Sequence, residues 1–213
     1  MKSKLFAFLF KNKLLITVNL LGFYLFAKMA VDVIEEEYII VIDRWIEIYI
    51  HTIQTPLLTK FMVILTHFNG EMGIFIFSLC MVLFLIYKKW YDDLLFYLLS
   101  VSGAHISFTA IKMIVKRPRP SSDILSIATH SFPSGHATMA TAMSLTVYLI
   151  LAKRIISTRL QVLLLISCIV WPILIAFSRV YLDVHWLSDV IAGIGLGLFW
   201  TTFIVLILRV MKK

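Results

Sequence analysis

Apolar runs long enough to cross a bilayer recur from one end of the chain to the other, separated by short polar segments. A hydrocarbon core about 30 Å thick takes roughly twenty residues at 1.5 Å rise each. The pattern therefore predicts membrane helices over about 14–31, 72–87, 91–113, 136–152, 160–178 and 187–208. Both termini then share one side. The segment 32–71 is too polar at Glu35, Glu36 and Glu37 to cross, but it carries Ile46, Ile50 and Ile53 at helical spacing. That predicts an amphipathic helix lying at the interface and interrupted at Pro56.

Composition agrees with this all-α, polytopic membrane bundle. Of 213 residues, 61% are hydrophobic and 15% charged, against roughly half and a quarter in soluble domains. No polar stretch is long enough for a second domain, so 1–213 is read as a single integral membrane domain. The net charge of +8 raises the question of nucleic acid, but the basic residues sit in short clusters between apolar runs rather than on one polar face; membrane topology accounts for them and no nucleic-acid partner is expected. Met1-Lys2-Ser3-Lys4 followed by an apolar run has the charge order of a signal peptide. The length of that run, with Lys28 near its end, favours an uncleaved first span. Cys80 and Cys168 lie in apolar runs without metal-ligand spacing and are expected to behave as small buried hydrophobes.

Orientation follows from the Lys and Arg bias. Lys2, Lys4, Lys11, Lys13, Lys88, Lys89, Lys153, Arg154, Arg159, Arg209, Lys212 and Lys213 all fall on the side of the termini, which predicts that side to be cytoplasmic. Asp32, Glu35, Glu36, Glu37, Asp43, Glu47 and Glu71 map to the other side, and only Asp92 and Asp93 to the inner one. Against the trend, the outer side holds a basic group: Lys112, Lys116, Arg117 and Arg119. Such an exception calls for a chemical reason.

Polar residues near bilayer depth are costly and usually functional. Three segments concentrate them: Lys112 with Arg119-Pro120; Pro133-Ser134-Gly135-His136; and Ser178-Arg179 with His185 and Asp189. All reach the same outer face. Ser134 is placed as a helix N-cap, and the free N–H groups beyond it form an anion site that Gly135 leaves open. As a plainer alternative, this is a capped helix with an incidental His136. His185 and Asp189 stand four apart on one helical face, so the carboxylate can hold one ring nitrogen and leave the other free to attack; an interfacial His beside a solvated Asp is the alternative. Arg119 and Arg179 can grip phosphate oxygens bidentately and Lys112 adds a point charge. Lys116 and Arg117 are assigned to lipid headgroups.

With these residues in view, the sequence resembles the type 2 phosphatidic acid phosphatase family, whose three-part signature is matched by Lys112 to Pro120, Pro133 to His136 and Ser178 to Asp189. The resemblance implies a membrane phosphatase acting on a lipid phosphate without metal or cofactor, and the charge bias puts its site on the extracytoplasmic face. His185 would be the nucleophile that forms a phosphohistidine, Asp189 its orienting partner, and His136 the general acid and then base. Lys112, Arg119, Ser134, Gly135 and Arg179 would hold the phosphate. Asp183 stands where many such proteins carry Gly; a solvated loop carboxylate is the favoured reading, and a carboxylate that biases the pocket against highly anionic substrates is the alternative. His130 is a candidate headgroup contact, His105 a packing or hydrogen-bonding residue, and the tryptophans mostly interfacial anchors. An isoprenyl diphosphate, phosphatidylglycerol phosphate, phosphatidate and lipid A phosphate all stay open as substrates. A lipid phosphotransferase with the same residues is an alternative, and a lipid-phosphate-binding transporter another, disfavoured by the lack of an internal repeat.

Overall fold

A computed structural model describes residues 9–121, 124 and 129–212; Lys2, Lys4 and Lys213 of the basic side lie outside these. The described residues fold into helices α1 (Lys13–Ile34), α2 (Ile39–Ile53), α3 (Pro56–Phe68), α4 (Glu71–Tyr87), α5 (Tyr91–Val115), α6 (Gly135–Leu151), α7 (Thr158–Tyr181) and α8 (Leu187–Met211), with a 3-10 turn at Ala152–Arg154. Five are long and apolar enough to cross a membrane, α6 when continued by the 3-10 turn to Arg154; α3 and α4, bent by 44° at their junction, have the length and composition of a sixth when taken as one span.

That bent pair corrects the predicted span at 72–87. A helix of α4's length reaches only about 25 Å at 1.5 Å per residue, short of the hydrocarbon core. The residues from Pro56 onward, expected at the interface, supply the remainder. Pro56 begins α3, where its missing N–H costs nothing, and the Thr55 side chain caps the helix. The amphipathic helix is α2 alone, and its Ile46, Ile50 and Ile53 face is turned inward: Ile50 is buried and the other two pack with Ala137, Ala176, Val180 and Val190. The large hydrophobic residues it exposes are Val41, Trp45, Ile48 and Tyr49, beside Arg44, His51 and Thr52.

In hydrocarbon, apolar side chains gain little by leaving lipid, so helices associate through close packing at small residues. α6 and α8 are the most enclosed helices. A Cβ on Gly193 would lie 2.6 Å from the Ser134 carbonyl oxygen, and one on Gly197 2.7 Å from that of Thr138. The opposite side of α8 meets α1 equally closely: a Cβ on Gly195 would lie 2.7 Å from the Gly22 carbonyl oxygen and 2.8 Å from the Phe26 nitrogen. Asn19 locks this contact by donating to the Phe199 carbonyl and to Thr202 Oγ1, each at 3.0 Å. α8 is thus held between α1 and α6, and its first turn is fixed relative to the start of α6.

The outer helices have the opposite character. Leu163, Ile166, Ile169 and Ile173 of α7 and Phe75, Leu79 and Leu83 of α4 are exposed, as lipid contact requires. Cys80 is exposed and Cys168 half-buried, contrary to the expectation for both, because lipid accepts a thiol as readily as a protein core does. Trp200 is not an end-of-span anchor either; it packs in mid-helix against Gly103.

Charges separate between the two ends of the bundle. Lys89, Lys153, Arg154, Arg209 and Lys212 gather around one cavity at the end that holds the start of α1. There Asp93 pairs with Lys153 and Arg154, Lys212 with Asp92, and Arg209 donates to Asn12 Oδ1 at 2.5 Å. The three signature segments lie at the opposite end.

The Gly195 contact leaves no room for a methyl group against two backbones. Gly195→Ala is expected to lower stability by about 1–3 kcal/mol, read as a lower thermal midpoint in detergent. An unchanged midpoint would show that α1 and α8 are not packed this closely.

Candidate active site

The chain leaves α5 through Lys116, whose φ of 52° turns the backbone sharply and whose N–H closes onto the Lys112 carbonyl at 3.1 Å. Pro118 and Pro120 keep the next residues extended, and Arg117 and Arg119 point to opposite sides of a shared wall. Arg119 faces the cavity. It donates to the Thr129 carbonyl at 2.6 Å, Thr129 Oγ1 at 3.0 Å, the His130 carbonyl at 3.1 Å and the Val184 carbonyl. Lys112 donates to the carbonyls of His130 at 2.6 Å and Ser131 at 3.3 Å. Both cations rest on backbone oxygens that an anion can replace.

α6 begins at Gly135, with Ser134 as its N-cap. The Ser134 hydroxyl is fully buried and accepts from the Ala137 N–H at a long 3.5 Å, while the Ser134 N–H donates to the Asp189 carbonyl at 3.0 Å. This last bond ties the second signature segment to the third. A Cβ at Gly135 would lie 2.8 Å from the Phe108 ring, which would have to shift to admit it. Asn69, between α3 and α4, donates to the His136 carbonyl at 2.9 Å.

α7 ends by presenting Arg179, which is 3% exposed and donates from Nη1 to Thr66 Oγ1 at 2.8 Å. Its Nε has no hydrogen-bond partner among the described residues. A buried guanidinium donor left unpaired beside other cations marks a place for an anion. The turn into α8 passes through Asp183 at φ 51°, the left-handed conformation that Asp tolerates better than most residues. Its carboxylate does not face the cavity: it accepts from Gln54 Nε2 at 3.2 Å and lies 3.4 Å from His51 Nε2. Asp183 therefore ties the turn to the end of α2.

At the first turn of α8, His185 Nδ1 is 3.2 Å from Asp189 Oδ2 and His185 Nε2 is 3.1 Å from Arg119 Nη1. A guanidinium can only donate, so Nε2 must offer its lone pair and Nδ1 must carry the hydrogen that Asp189 accepts. Asp189 Oδ2 also accepts the Trp186 N–H at 3.0 Å, fixing the carboxylate against the helix start. Burial first, then the charges of Arg179, Arg119 and Lys112, hold the His185 imidazole well below its ordinary pKa. A hydrogen bond with the Ser131 backbone opposes this and does not prevail; Asp189 has a cation of its own, described next.

That cation is Arg117, which does not sit on lipid headgroups as expected from its place in the sequence. It is buried, with Nη1 2.7 Å from both Asp189 Oδ1 and Ser188 Oγ, and Nη2 2.7 Å from Asp43 Oδ2. The turn at Lys116 is what points it inward. Asp43, Ser188, Thr66 and Asn69 are further polar contributors that motif reading passed over. Asp43 had a signal: it shares the helical face of Ile46, Ile50 and Ile53, where a carboxylate needs a buried partner.

Lys112, Arg119, Gly135, His136, Arg179 and His185 all border one cavity of about 980 Å³. Ser134 and Asp189 lie directly behind its wall. The cavity continues between α4 and α5 along Ile74, Phe75, Leu79, Val82, Leu98 and Val101. His105 borders it, edge-on to Phe108 with ring centroids 4.9 Å apart. It is therefore polar and cationic at one end and apolar along the rest. Among the described residues no group of three or more His, Cys, Asp or Glu is placed to hold a metal ion.

Comparison with known proteins is consistent with this arrangement. Residues 90–212 match the family described as the PAP2 superfamily. Phosphatidylglycerophosphatase B of Bacillus subtilis is 29% identical over 152 residues, covering 68% of this chain and 73% of that one. Lipid A 4'-phosphatase of Porphyromonas gingivalis is 28% identical over 180 residues, covering 76% and 71%. The crystal structure of the transmembrane PAP2-type phosphatidylglycerolphosphate phosphatase from Bacillus subtilis superposes with a TM-score of 0.75 at 22% identity, covering 93% of this chain and 95% of that one; it shares the fold.

The environment of His185 gives a direct test. Its imidazole is expected to be neutral at pH 6.5 and to titrate only well below that, followed by nitrogen-15 chemical shifts in detergent-solubilised protein. Titration at or above the ordinary histidine value of about 6.5 would contradict the cationic setting.

Proposed function

The chain belongs to the PAP2 superfamily, and on that basis we propose that it is a membrane lipid phosphatase that hydrolyses a lipid phosphate through a phosphohistidine at His185. The observation that carries this reading is the pairing at His185. Asp189 holds Nδ1, and Nε2 is presented, with its lone pair, to the cationic end of a cavity whose remainder is apolar. The two relatives named above are by name phosphatases of lipids. A phosphate among Lys112, Arg119 and Arg179, with its lipid chain along α4 and α5, suits both ends of the cavity.

In the first step Nε2 attacks phosphorus, the P–N bond forms and the ester P–O bond breaks. The departing alkoxide takes a proton from His136. The imidazole becomes a cation as it accepts the phosphoryl group, and Asp189 stabilises it through the Nδ1 hydrogen. Lys112, Arg119, Arg179 and the N–H groups at the start of α6 neutralise charge on the equatorial oxygens, the main contribution to phosphoryl transfer. Water then attacks phosphorus as His136 takes its proton; the P–N bond breaks and His185 returns neutral. Protein cations supply the positive charge, so metal independence is part of the proposal. We further propose that the site faces the extracytoplasmic side; the basic cluster at the opposite end supports this through the positive-inside bias.

A panel of lipid monophosphates and diphosphates assayed in chelator tests the reading. Phosphate release is expected with wild type, and loss of at least about 10³-fold with His185→Ala, the scale on which removing a nucleophile acts. Turnover in His185→Ala near the wild-type rate, or none by wild type in chelator, would refute it.

A further inference from the structure

Asp43 lies far from every signature segment in the sequence and yet is 1% exposed at their centre. Its Oδ1 accepts the Ser188 N–H at 2.9 Å, and its Oδ2 accepts the Ser188 hydroxyl at 2.5 Å and Arg117 Nη2 at 2.7 Å. The first of these bonds satisfies an unpaired N–H in the opening turn of α8, so Asp43 caps that helix from another element. The other two hold Arg117, whose Nη1 reaches Asp189 Oδ1 at 2.7 Å. Asp189 thus has Oδ1 on Arg117 and Oδ2 on His185 and the Trp186 N–H, with the Ser131 side chain also hydrogen-bonded to the carboxylate. The Trp186 indole completes the support, with its ring 5.3 Å from the Arg117 guanidinium carbon and its Nε1 donating to the Pro118 carbonyl at 3.0 Å.

We propose that Asp43 and Arg117 are positioning residues for the reaction, with α2 as the brace that sets the angle of the Asp189 carboxylate against His185. This rests on the phosphohistidine reading above. Neither residue borders the cavity, so each acts through Asp189 and not on substrate. Only a planar guanidinium can bridge two carboxylates and a hydroxyl in one plane, which a lysine ammonium cannot reproduce. The face of α2 that carries Asp43 is also the face packed on α6, α7 and α8, so the brace is continuous with the core.

The experiment uses full-length purified protein in detergent, with steady-state turnover of a lipid monophosphate, inhibition by vanadate as a mimic of the pentacoordinate phosphorus, and thermal midpoint as the check on folding. Asp43→Asn is expected to keep KM within about 2-fold while kcat falls roughly 10- to 100-fold, the scale of a small misplacement of reacting groups. Vanadate inhibition should weaken in parallel. Asp43→Glu should recover part of the loss and Arg117→Lys should not. If Asp43→Asn does not fold, Ser188→Ala takes its place, since it removes the shared hydroxyl and leaves every charge; reduced kcat with weaker vanadate inhibition is expected.

Wild-type kcat in the folded Asp43→Asn or Ser188→Ala protein overturns the proposal. So does a loss of activity that matches the lost folded fraction with unchanged vanadate inhibition, which marks a purely structural role. His185→Ala is assayed beside them. If it is inactive while Asp43→Asn is unaffected, only the positioning role fails; if it retains full turnover, the phosphohistidine reading itself fails.

Discussion

Close approach of α8 to α6 is the contact on which the site depends. In lipid it cannot be driven by expulsion of water, so it rests on the backbone surfaces that Gly193 and Gly197 expose to Ser134 and Thr138. That approach lets the Ser134 N–H reach the Asp189 carbonyl, which sets the anion-binding start of one helix beside the histidine and carboxylate of the other. α1, pressed against the far side of α8 at Gly195, keeps the contact closed. A span with no chemistry of its own thus contributes to the geometry of the chemistry.

Electrostatics divides the same region in two. Toward the cavity stand Lys112, Arg119 and Arg179, which form no ion pair with a carboxylate among the described residues and include a buried donor, Arg179 Nε, without a hydrogen-bond partner among them. Behind the wall stand Asp43, Arg117 and Asp189, where one cation serves two carboxylates. Isolated charges in so buried a place would be prohibitive, whereas this chain of pairs satisfies each with directed hydrogen bonds. His185 sits on the boundary, its Nδ1 turned to the anionic side and its Nε2 to the cationic one. The boundary sets its tautomer and suppresses its protonation.

Most of the bundle was legible in the sequence because hydrocarbon imposes one rule on every span: length and apolarity suffice. The rule was incomplete at 72–87: the helix is there as Glu71–Tyr87, but the length for a crossing needs the bent helix before it, which begins in a segment of mixed polarity. It misread the Ile46, Ile50 and Ile53 face of α2 for the same reason, since an apolar stripe does not say whether lipid or protein covers it. The cavity-lining residues were legible because the motif spacing places them together. Arg117 was not, because its direction depends on a left-handed turn at Lys116 that composition does not reveal. Asp183 is buried rather than solvated, because its side chain leaves the turn toward His51 and Gln54.

The most direct measurement is capture and mapping of the covalent intermediate. Protein mixed with a phosphorus-32-labelled lipid monophosphate is quenched within milliseconds in alkali and digested, and the labelled peptide is sequenced. The account predicts alkali-stable, acid-labile label on His185 at Nε2, the nitrogen that Asp189 leaves free. Label on Nδ1 or on another residue, or rapid turnover with no label on the protein at any time, would contradict it.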